Sequence, residues 1–273
     1  MRNRTAVITG GTDGIGKATA RKLAADGWDV VIVGRNAARC EATARELGSR
    51  VSAVVGDLGL MADVKRVASE VATKTQKLDL LILNANSITQ TFKATVEGFE
   101  SNFAVGFLGR ALLALELEPV LARAERSSVL SVVGLNLDRV DFADPSPAHG
   151  FSSMKVLGRW QWAVQVFGRE WNRRSKVPMN TYMPGLVKTK ILADEPQPMR
   201  LVVKVANLLM GVPVERGGEE CAWAAVDALE QQRRDGYYAR KRFKGVRDLK
   251  EQPGDAAAAW AMAERLLAPW RAR

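Results

Sequence analysis

The sequence predicts an α/β fold, with a single domain built on a doubly wound parallel sheet and helices on both of its faces. Short runs rich in Val, Ile and Leu alternate with longer helical patterns along the chain. A glycine-rich turn follows the first of these runs. The chain has 273 residues, 47% of them hydrophobic, which is enough to bury one large core.

The first unit of this pattern is a strand, a turn and a helix. Thr5–Thr9 is a β-branched run of the kind found in buried parallel strands. Residues 17–26 have a helical pattern that Gly27 ends. Three glycines shape the turn between them: Gly10, Gly14 and Gly16. Such glycines let the backbone approach a pyrophosphate at the positive end of a helix, so this unit predicts a dinucleotide site.

The later elements repeat the alternation. Further strands are predicted at 29–33, 51–55, 79–83, 129–133, 179–183 and 237–239. A long apolar helix is predicted at 156–171, and the irregular stretches are 138–147 and 194–198. We find no internal repeat and no long linker in the sequence.

The residue at the end of the second strand indicates which dinucleotide binds. A carboxylate there would bind the ribose hydroxyls of NAD, whereas an arginine suits the 2′-phosphate of NADP. The chain has Arg35 and Asn36 at this point, and no carboxylate before Glu41. A guanidinium pairs well with a phosphate, so we expect NADP(H) to be the cofactor.

The segment Thr9-Gly10-x-x-x-Gly14-Ile15-Gly16 resembles the TGxxxGIG signature of the short-chain dehydrogenase/reductase family. The resemblance extends along most of the chain, and residues 97–105 resemble the retinol-dehydrogenase-like members. It implies a Rossmann-type fold and a small-molecule substrate. The cofactor-binding residues that the motifs and the resemblance imply are Gly10, Thr12, Asp13, Gly14, Ile15, Gly16, Arg35, Asn36, Asp57, Leu58, Asn84, Ala85, Lys155, Pro184, Gly185, Val187 and Thr189.

The catalytic residues of this family are Asn, Ser, Tyr and Lys, and the resemblance places most of them on altered positions. Gly106 stands at the Asn position, Val133 with Gly134 at the Ser position, and Phe151 at the Tyr position. Only Lys155 is retained. A phenyl ring has no proton to donate, so the usual acid–base step is missing. We expect Phe151, Val133 and Gly106 to line a more apolar and roomier pocket.

Other groups near these positions are candidate proton donors. His149 is the only histidine of the chain and lies two residues before Phe151. Asp138 lies in the irregular stretch before it, and Lys155 itself can act as an acid if its pKa is depressed. A solvent-exposed loop position is the alternative for the histidine. No group of residues has the spacing of a metal site.

Three functions fit these residues. The first is an NADPH-dependent reductase that acts without the usual Tyr proton donor. Its substrate would be a secondary-metabolite-type imine, iminium ion, enone or ketone. The second is a non-redox cyclase or isomerase that uses NADP(H) structurally. The third is a catalytically silent NADP(H)-binding protein. We favour the reductase because the cofactor motifs and Lys155 remain.

Charge and composition limit the partners. The net charge is +10, and its clusters at 233–234 and 240–244 fit a solvated rim around the last strand rather than a nucleic-acid site. Residues 199–210 form a basic apolar helix candidate for a membrane surface, but the resemblance favours a substrate lid at about 190–213. The lack of a signal-like start and the two separated cysteines predict a reduced, cytoplasmic protein.

The helix after Lys155 is rich in tryptophan. Trp160 and Trp162 alternate and therefore lie on different faces of the helix. One face must pack on the sheet, and the resemblance implies that the other forms a homodimer. Core packing within one chain is the alternative.

Overall fold

The protein, described here by a computed structural model over residues 4–134, 137–185 and 212–271, folds around one twisted sheet. The strands are β1 (Thr5–Thr9), β2 (Asp29–Gly34), β3 (Val51–Val55), β4 (Leu80–Leu83), β5 (Ser128–Val132), β6 (Met179–Tyr182), β7 (Gly236–Ala239) and β8 (Arg242–Val246). Their order is β3-β2-β1-β4-β5-β6-β7-β8, and every pairing is parallel except that of β7 with β8. This order confirms the predicted doubly wound, Rossmann-type architecture.

Helices cover both faces of the sheet. They are α1 (Gly14–Ala25), α2 (Ala37–Leu47), α3 (Met61–Lys74), α4 (Gly109–Leu121), α5 (Ser153–Arg174), α6 (Val214–Glu230) and α7 (Asp255–Arg271). A short helical turn, Ser101–Phe103, and a π-helical segment, Ala104–Leu108, lead into α4. The apolar core on one face includes α3, α4, α5 and α7, and the core on the other includes α1 and α6, with α2 against its edge.

The basic stretch after β7 is a β-hairpin rather than a simple rim. Arg240 and Lys241 form its turn, with φ of +48° and +51°. Such turns favour Gly and Asn, so two long basic residues gave no turn signal in the sequence. The strand that follows, β8, lies at the edge of the sheet, and its alternate residues are exposed. Charged side chains at a sheet edge discourage pairing with another chain.

The tryptophans of α5 are packed inside the chain. The ring of Phe167 on α5 stacks on Trp260 of α7, with centroids 4.9 Å apart and planes 5° apart. Trp162 donates its indole N–H to the carbonyl of Leu249 (3.0 Å), and Trp171 donates to Val177 (2.7 Å). The face of α5 that was expected to reach a second subunit is therefore covered by the chain's own α7, and these residues no longer argue for a dimer.

Most of the predicted lid lies outside the described residues, as does the basic apolar segment 199–210. Within the described ranges, no helix combines the length and the apolar character needed to cross a membrane.

Candidate active site

The sheet has its topological switch point between β1 and β4. From β1 the chain proceeds to β2 on one side, whereas β4 is followed by β5 on the other side. In open α/β sheets, ligands bind in the crevice beyond the carboxyl ends of such strands. A cleft of about 1040 Å³ opens here, extending from the glycine turn after β1 to the end of β5 and the first half of α5.

The glycine turn needs its glycines for backbone geometry. Gly10 has φ of +65°, a conformation that side chains rarely adopt. A Cβ on Gly16 would lie 2.3 Å from the carbonyl oxygen of Gly10, so the start of α1 packs directly on the turn. Asp13 caps α1 by accepting the N–H of Gly14 at 2.8 Å. The turn and the N-terminus of the helix together fit a pyrophosphate.

Asn84 joins the ends of β1 and β4 across the switch point. Its side-chain amide donates to the carbonyls of Thr9 (3.0 Å) and Gly10 (3.2 Å). The backbone N–H groups of Asn84 and Ala85 donate to the hydroxyl of Thr9 at 2.8 and 3.0 Å. These bonds fix the floor of the cleft beneath the glycine turn.

One end of the cleft is basic. Lys17 and Arg21 line it, but both pair with Glu46, at 2.6 and 2.9 Å. Arg35 and Arg39 also line it and are exposed, and within the described ranges neither is paired with a carboxylate. Arg35 was predicted from the sequence, whereas Arg39, which α2 presents from its first turn, was not.

The predicted adenine contacts and the described part of the nicotinamide loop also reach the cleft. Asp57 lines it, with its carboxylate held by the N–H of Gly59 at 2.9 Å, and Leu58 lies beside it. Pro184 and Gly185 line the opposite side. The other predicted loop residues, Val187 and Thr189, lie outside the described residues.

At the far end of the cleft, α5 has a different register from the one expected. Leu157 and Gln161, spaced like the family's Tyr and Lys, line the cleft together with Val133 and Gly134. Phe151 and Lys155 are not part of its lining. The helix begins at Ser153, capped by the Ser152 side chain, so Lys155 lies in its exposed first turn.

The remaining candidates lie away from the cleft. Phe151 is half-buried and packs edge-on against Phe92, with centroids 5.9 Å apart. His149 is exposed on the loop, and Asp138 lies 3.8 Å from Arg159. None of these three lines the cleft.

The space next to Gly106 is occupied by Trp160, contrary to the expectation of a roomier pocket. A Cβ built on this glycine would lie 2.5 Å from the Trp160 ring. The indole therefore fills the space in which we expected a roomier pocket, and Gly106 is covered by it rather than lining the cleft.

Arg110 was missed by sequence reasoning and is the most unusual residue here. It lines the cleft, but only 2% of it is exposed. Its guanidinium donates to the Ser131 hydroxyl (2.8 Å) and to the carbonyls of Val132 (2.7 Å) and Ala85 (2.8 Å). Burial lowers the pKa of Arg110 to about 9. A single arginine ahead of the apolar run 111–115 was the available signal.

Comparison with known proteins identifies the family. A model described as short chain dehydrogenase matches residues 4–138. Mouse polyprenol dehydrogenase is 31% identical in an alignment of 245 positions that covers 82% of this chain and 71% of that protein. The chain belongs to the short-chain dehydrogenase/reductase family. Human retinol dehydrogenase 13, another relative, is 28% identical over 69% of the chain, which spans only 60% of that protein.

Two further proteins resemble the chain over nearly its full length. A protein of Streptomyces sp. (strain C5) named as a daunorubicin C-13 ketoreductase is 28% identical over 95% of this chain and 91% of its own. A crystal structure of an uncharacterized protein from Mycobacterium paratuberculosis has a TM-score of 0.76 at 26% identity, covering 96% of this chain and 92% of its own. Solved structures with the same fold, at 22% identity, hold NADP in one case and NADH in another.

Proposed function

We propose that this chain is an NADPH-dependent reductase of a small, activated electrophile, with an active site that lacks the usual Tyr proton donor. The observation that carries the proposal is the cleft itself. One end of it is lined by the glycine turn with Arg35 and Arg39, and its far end presents Leu157 and Gln161 with the spacing of a Tyr and a Lys. The substrates that fit are imines or iminium ions, enones and activated ketones.

The charge at the dinucleotide end supports NADP(H) rather than NAD(H). Glu46 pairs with Lys17 and Arg21, and this leaves Arg35 and Arg39 to meet an anion. No carboxylate stands at the end of β2, where one would bind free ribose hydroxyls. A 2′-phosphate would bind between two guanidinium groups at the first turn of α2.

The far end of the cleft limits the chemistry. A bound reduced nicotinamide supplies hydride, and this chain's residues must then provide binding, orientation and a suitable field. Leu157 has no proton to give, and the amide of Gln161 does not titrate in water. The reaction that fits is one in which the acceptor needs no proton from a titrating side chain when hydride arrives.

The similarity to a protein named as a ketoreductase, over nearly the whole chain, supports a secondary-metabolite type of substrate. The similarity to polyprenol and retinol dehydrogenases supports an apolar one.

Deuterium transfer tests the proposal. NADPH deuterated on either face of C4 is incubated with the protein and a panel of imines, enones and ketones, and products are analysed by mass spectrometry. A reductase places deuterium in the product from one of the two faces, and NADP⁺ alone supports no turnover. Unlabelled product formed equally well with NADP⁺ would instead assign a non-redox reaction with a structural cofactor.

Tight NADPH binding without any product across the panel would assign a catalytically silent protein. The homodimer and the cytoplasmic location stay predictions. Light scattering on the purified protein measures the first, and fractionation of the source cells measures the second.

A further inference from the structure

Three residues that line the far end of the cleft each carry a buried polar atom that has no hydrogen-bond partner among the described residues. These atoms are Nε of Arg110, Nε1 of Trp160 and Oε1 of Gln161. All three residues line the cleft, although they are only 2%, 1% and 3% exposed. Buried polar groups are almost always paired, so these three groups call for partners from water or from a ligand bound in the cleft.

Two contacts describe how these residues lie. The guanidinium of Arg110 lies over the Trp160 ring, 4.7 Å from its centroid. Gln161 follows Trp160 on α5, and its side chain lies against Gly134, where a Cβ would be 2.7 Å from Oε1. Two of the groups are N–H donors, and an amide can present either its oxygen or its NH₂ to a ligand.

The position of the arginine is fixed by neutral groups only. Its terminal nitrogens donate to the Ser131 hydroxyl and to two backbone carbonyls, which leaves Nε–H unused. No carboxylate in the described ranges pairs with it, and burial is what lowers its pKa. An unpaired charge in such a site is costly, and a negative atom bound beside it would relieve that cost.

The positive charge of Arg110 favours some of the candidate electrophiles over others. An iminium ion is a cation and is repelled by a buried guanidinium at short range. A saturated ketone becomes a strongly basic alkoxide, which needs a proton donor, and the described lining at this end of the cleft holds no Tyr, Lys or His. A conjugated carbonyl compound becomes an enolate or a phenolate, a far weaker base that a fixed cation and N–H donors stabilise.

We propose that Arg110, Trp160 and Gln161 form an oxyanion site, and that the electrophile is a conjugated carbonyl compound, an enone or a quinone. The inference deepens the proposed reductase function and rests on it for the reaction, although not for the binding site. For an enone, the β-carbon accepts hydride from the reduced nicotinamide, and the new C–H bond forms there. The alkene electron pair shifts to form the enolate double bond, and the carbonyl pair moves to oxygen, which the three groups bind.

Water supplies the proton that completes the reaction. NADP⁺ is the oxidised product, and the enolate carbon takes its proton from water after hydride transfer, which leaves hydroxide to the solvent. The product is the saturated ketone. In this step no described side chain at the far end of the cleft gives up a proton, consistent with Leu157 and Gln161 in the lining.

A chromophoric phenol tests the site without turnover. 4-Nitrophenol is titrated into the protein–NADP⁺ complex, and the phenol and phenolate absorbances give the pKa of the bound probe. In the wild type, we expect the bound probe to ionise at a pH at least about one unit lower than in water, as for a group beside an opposite charge. Arg110→Met removes the charge and should abolish most of that shift.

Two milder variants keep the test valid if Arg110→Met does not fold. Trp160→Phe keeps a ring and removes the N–H, and Gln161→Leu keeps the volume and removes the amide. Each should weaken phenolate binding about tenfold or more, as expected for a hydrogen bond to a charged group. Arg159→Met is the matched control, since it changes an arginine on α5 outside the cleft lining and should leave the titration unchanged.

Three results would overturn the inference. They are a bound phenol with its solution pKa, variants that bind phenolate as tightly as the wild type, and a preference for an N-alkylpyridinium cation over the phenolate. The test is separate from the deuterium experiment. A lowered phenol pKa without deuterium transfer would contradict the reductase function and support the oxyanion site. Deuterium transfer with an unshifted phenol pKa would support the reductase function and contradict the oxyanion site.

Discussion

The indole of Trp160 lies where a side chain at Gly106 would begin, with a Cβ at that position 2.5 Å from the ring. Restoring the family's residue with Gly106→Asn should therefore destabilise the protein instead of repairing catalysis. Overpacking of this kind costs about 1–3 kcal/mol. Urea unfolding of Gly106→Ala and Gly106→Asn measures that cost.

The same pair of residues provides the control. In a Trp160→Leu background, Gly106→Ala should cost much less, because the smaller side chain leaves room for the new methyl group. The difference between the two backgrounds is the coupling energy of a double-mutant cycle. Equal costs in both backgrounds would show that the indole does not occupy this space in solution.

Arg35 should set the preference between the two cofactors. Arg35→Gln removes a charge-assisted hydrogen bond to a phosphate, which contributes about 1.5–3 kcal/mol, and so should weaken NADPH binding roughly tenfold or more. NADH, which lacks the 2′-phosphate, should bind about as before. Calorimetric titration of both cofactors measures the change. Arg45→Gln, an exposed arginine of α2 outside the cleft lining, is the matched control.

A tyrosine should help only where it reaches the cleft. Leu157→Tyr places a phenol in the lining, whereas Phe151→Tyr places one beside Phe92, outside it. General acid catalysis contributes about 10²–10⁴-fold when well placed, so Leu157→Tyr should raise reduction of simple aldehydes at least about tenfold. Phe151→Tyr should leave it at background. If Phe151→Tyr alone raised the activity, Phe151 and Lys155 would be the residues that face the cleft, as the sequence resemblance implied.

Asp255 should make the free energy of unfolding depend on pH in the acidic range. Its carboxylate, only 3% exposed, accepts Nη2 of Arg139 at 2.6 Å and the N–H of Gln252 at 2.8 Å. The Arg139 guanidinium lowers the pKa of Asp255 below its usual value. Its contribution is therefore present above about pH 4, the usual value, and is lost as the pH falls through the lowered value.

The substitution Asp255→Asn should accordingly cost about 1 kcal/mol at pH 7, reduced by the partial exposure of Arg139. That cost should shrink when unfolding is repeated near pH 3. Asp138→Asn is the comparison, since Asp138 lies 3.8 Å from Arg159 without a hydrogen bond, and should change little at either pH. If Asp255→Asn lowered the free energy of unfolding equally at both pH values, the ion pair would not be the cause of the loss.

The parallel strands were predictable because burial on both faces demands apolar runs, and β1 and β3 have the predicted bounds. The glycine turn was predictable because its demands are local, as at Gly10 and Gly16. The hairpin before β8 was not, since Arg240 and Lys241 adopt positive φ without the residues that usually signal it. Tertiary pairing with β7 determines their conformation.

The far end of the cleft was not predictable from motif spacing. Lys155 has the right spacing from Phe151, but the Ser152 cap starts α5 late enough to leave both outside the lining. Which turn of a helix faces a cleft depends on how the helix packs, and the sequence carries that only indirectly. Lone polar residues on buried faces, such as Arg110 and Gln161, are the indirect sign.

The stacking of Phe167 on Trp260 sets an order of events during synthesis. The aromatic face of α5 leaves the ribosome long before α7, which must cover it. At about 5–20 residues per second, the segment between the two rings takes roughly 5–20 s to appear. During that interval the nascent chain presents an uncovered aromatic surface, so aggregation and chaperone binding should be most frequent while translation of this protein is still under way.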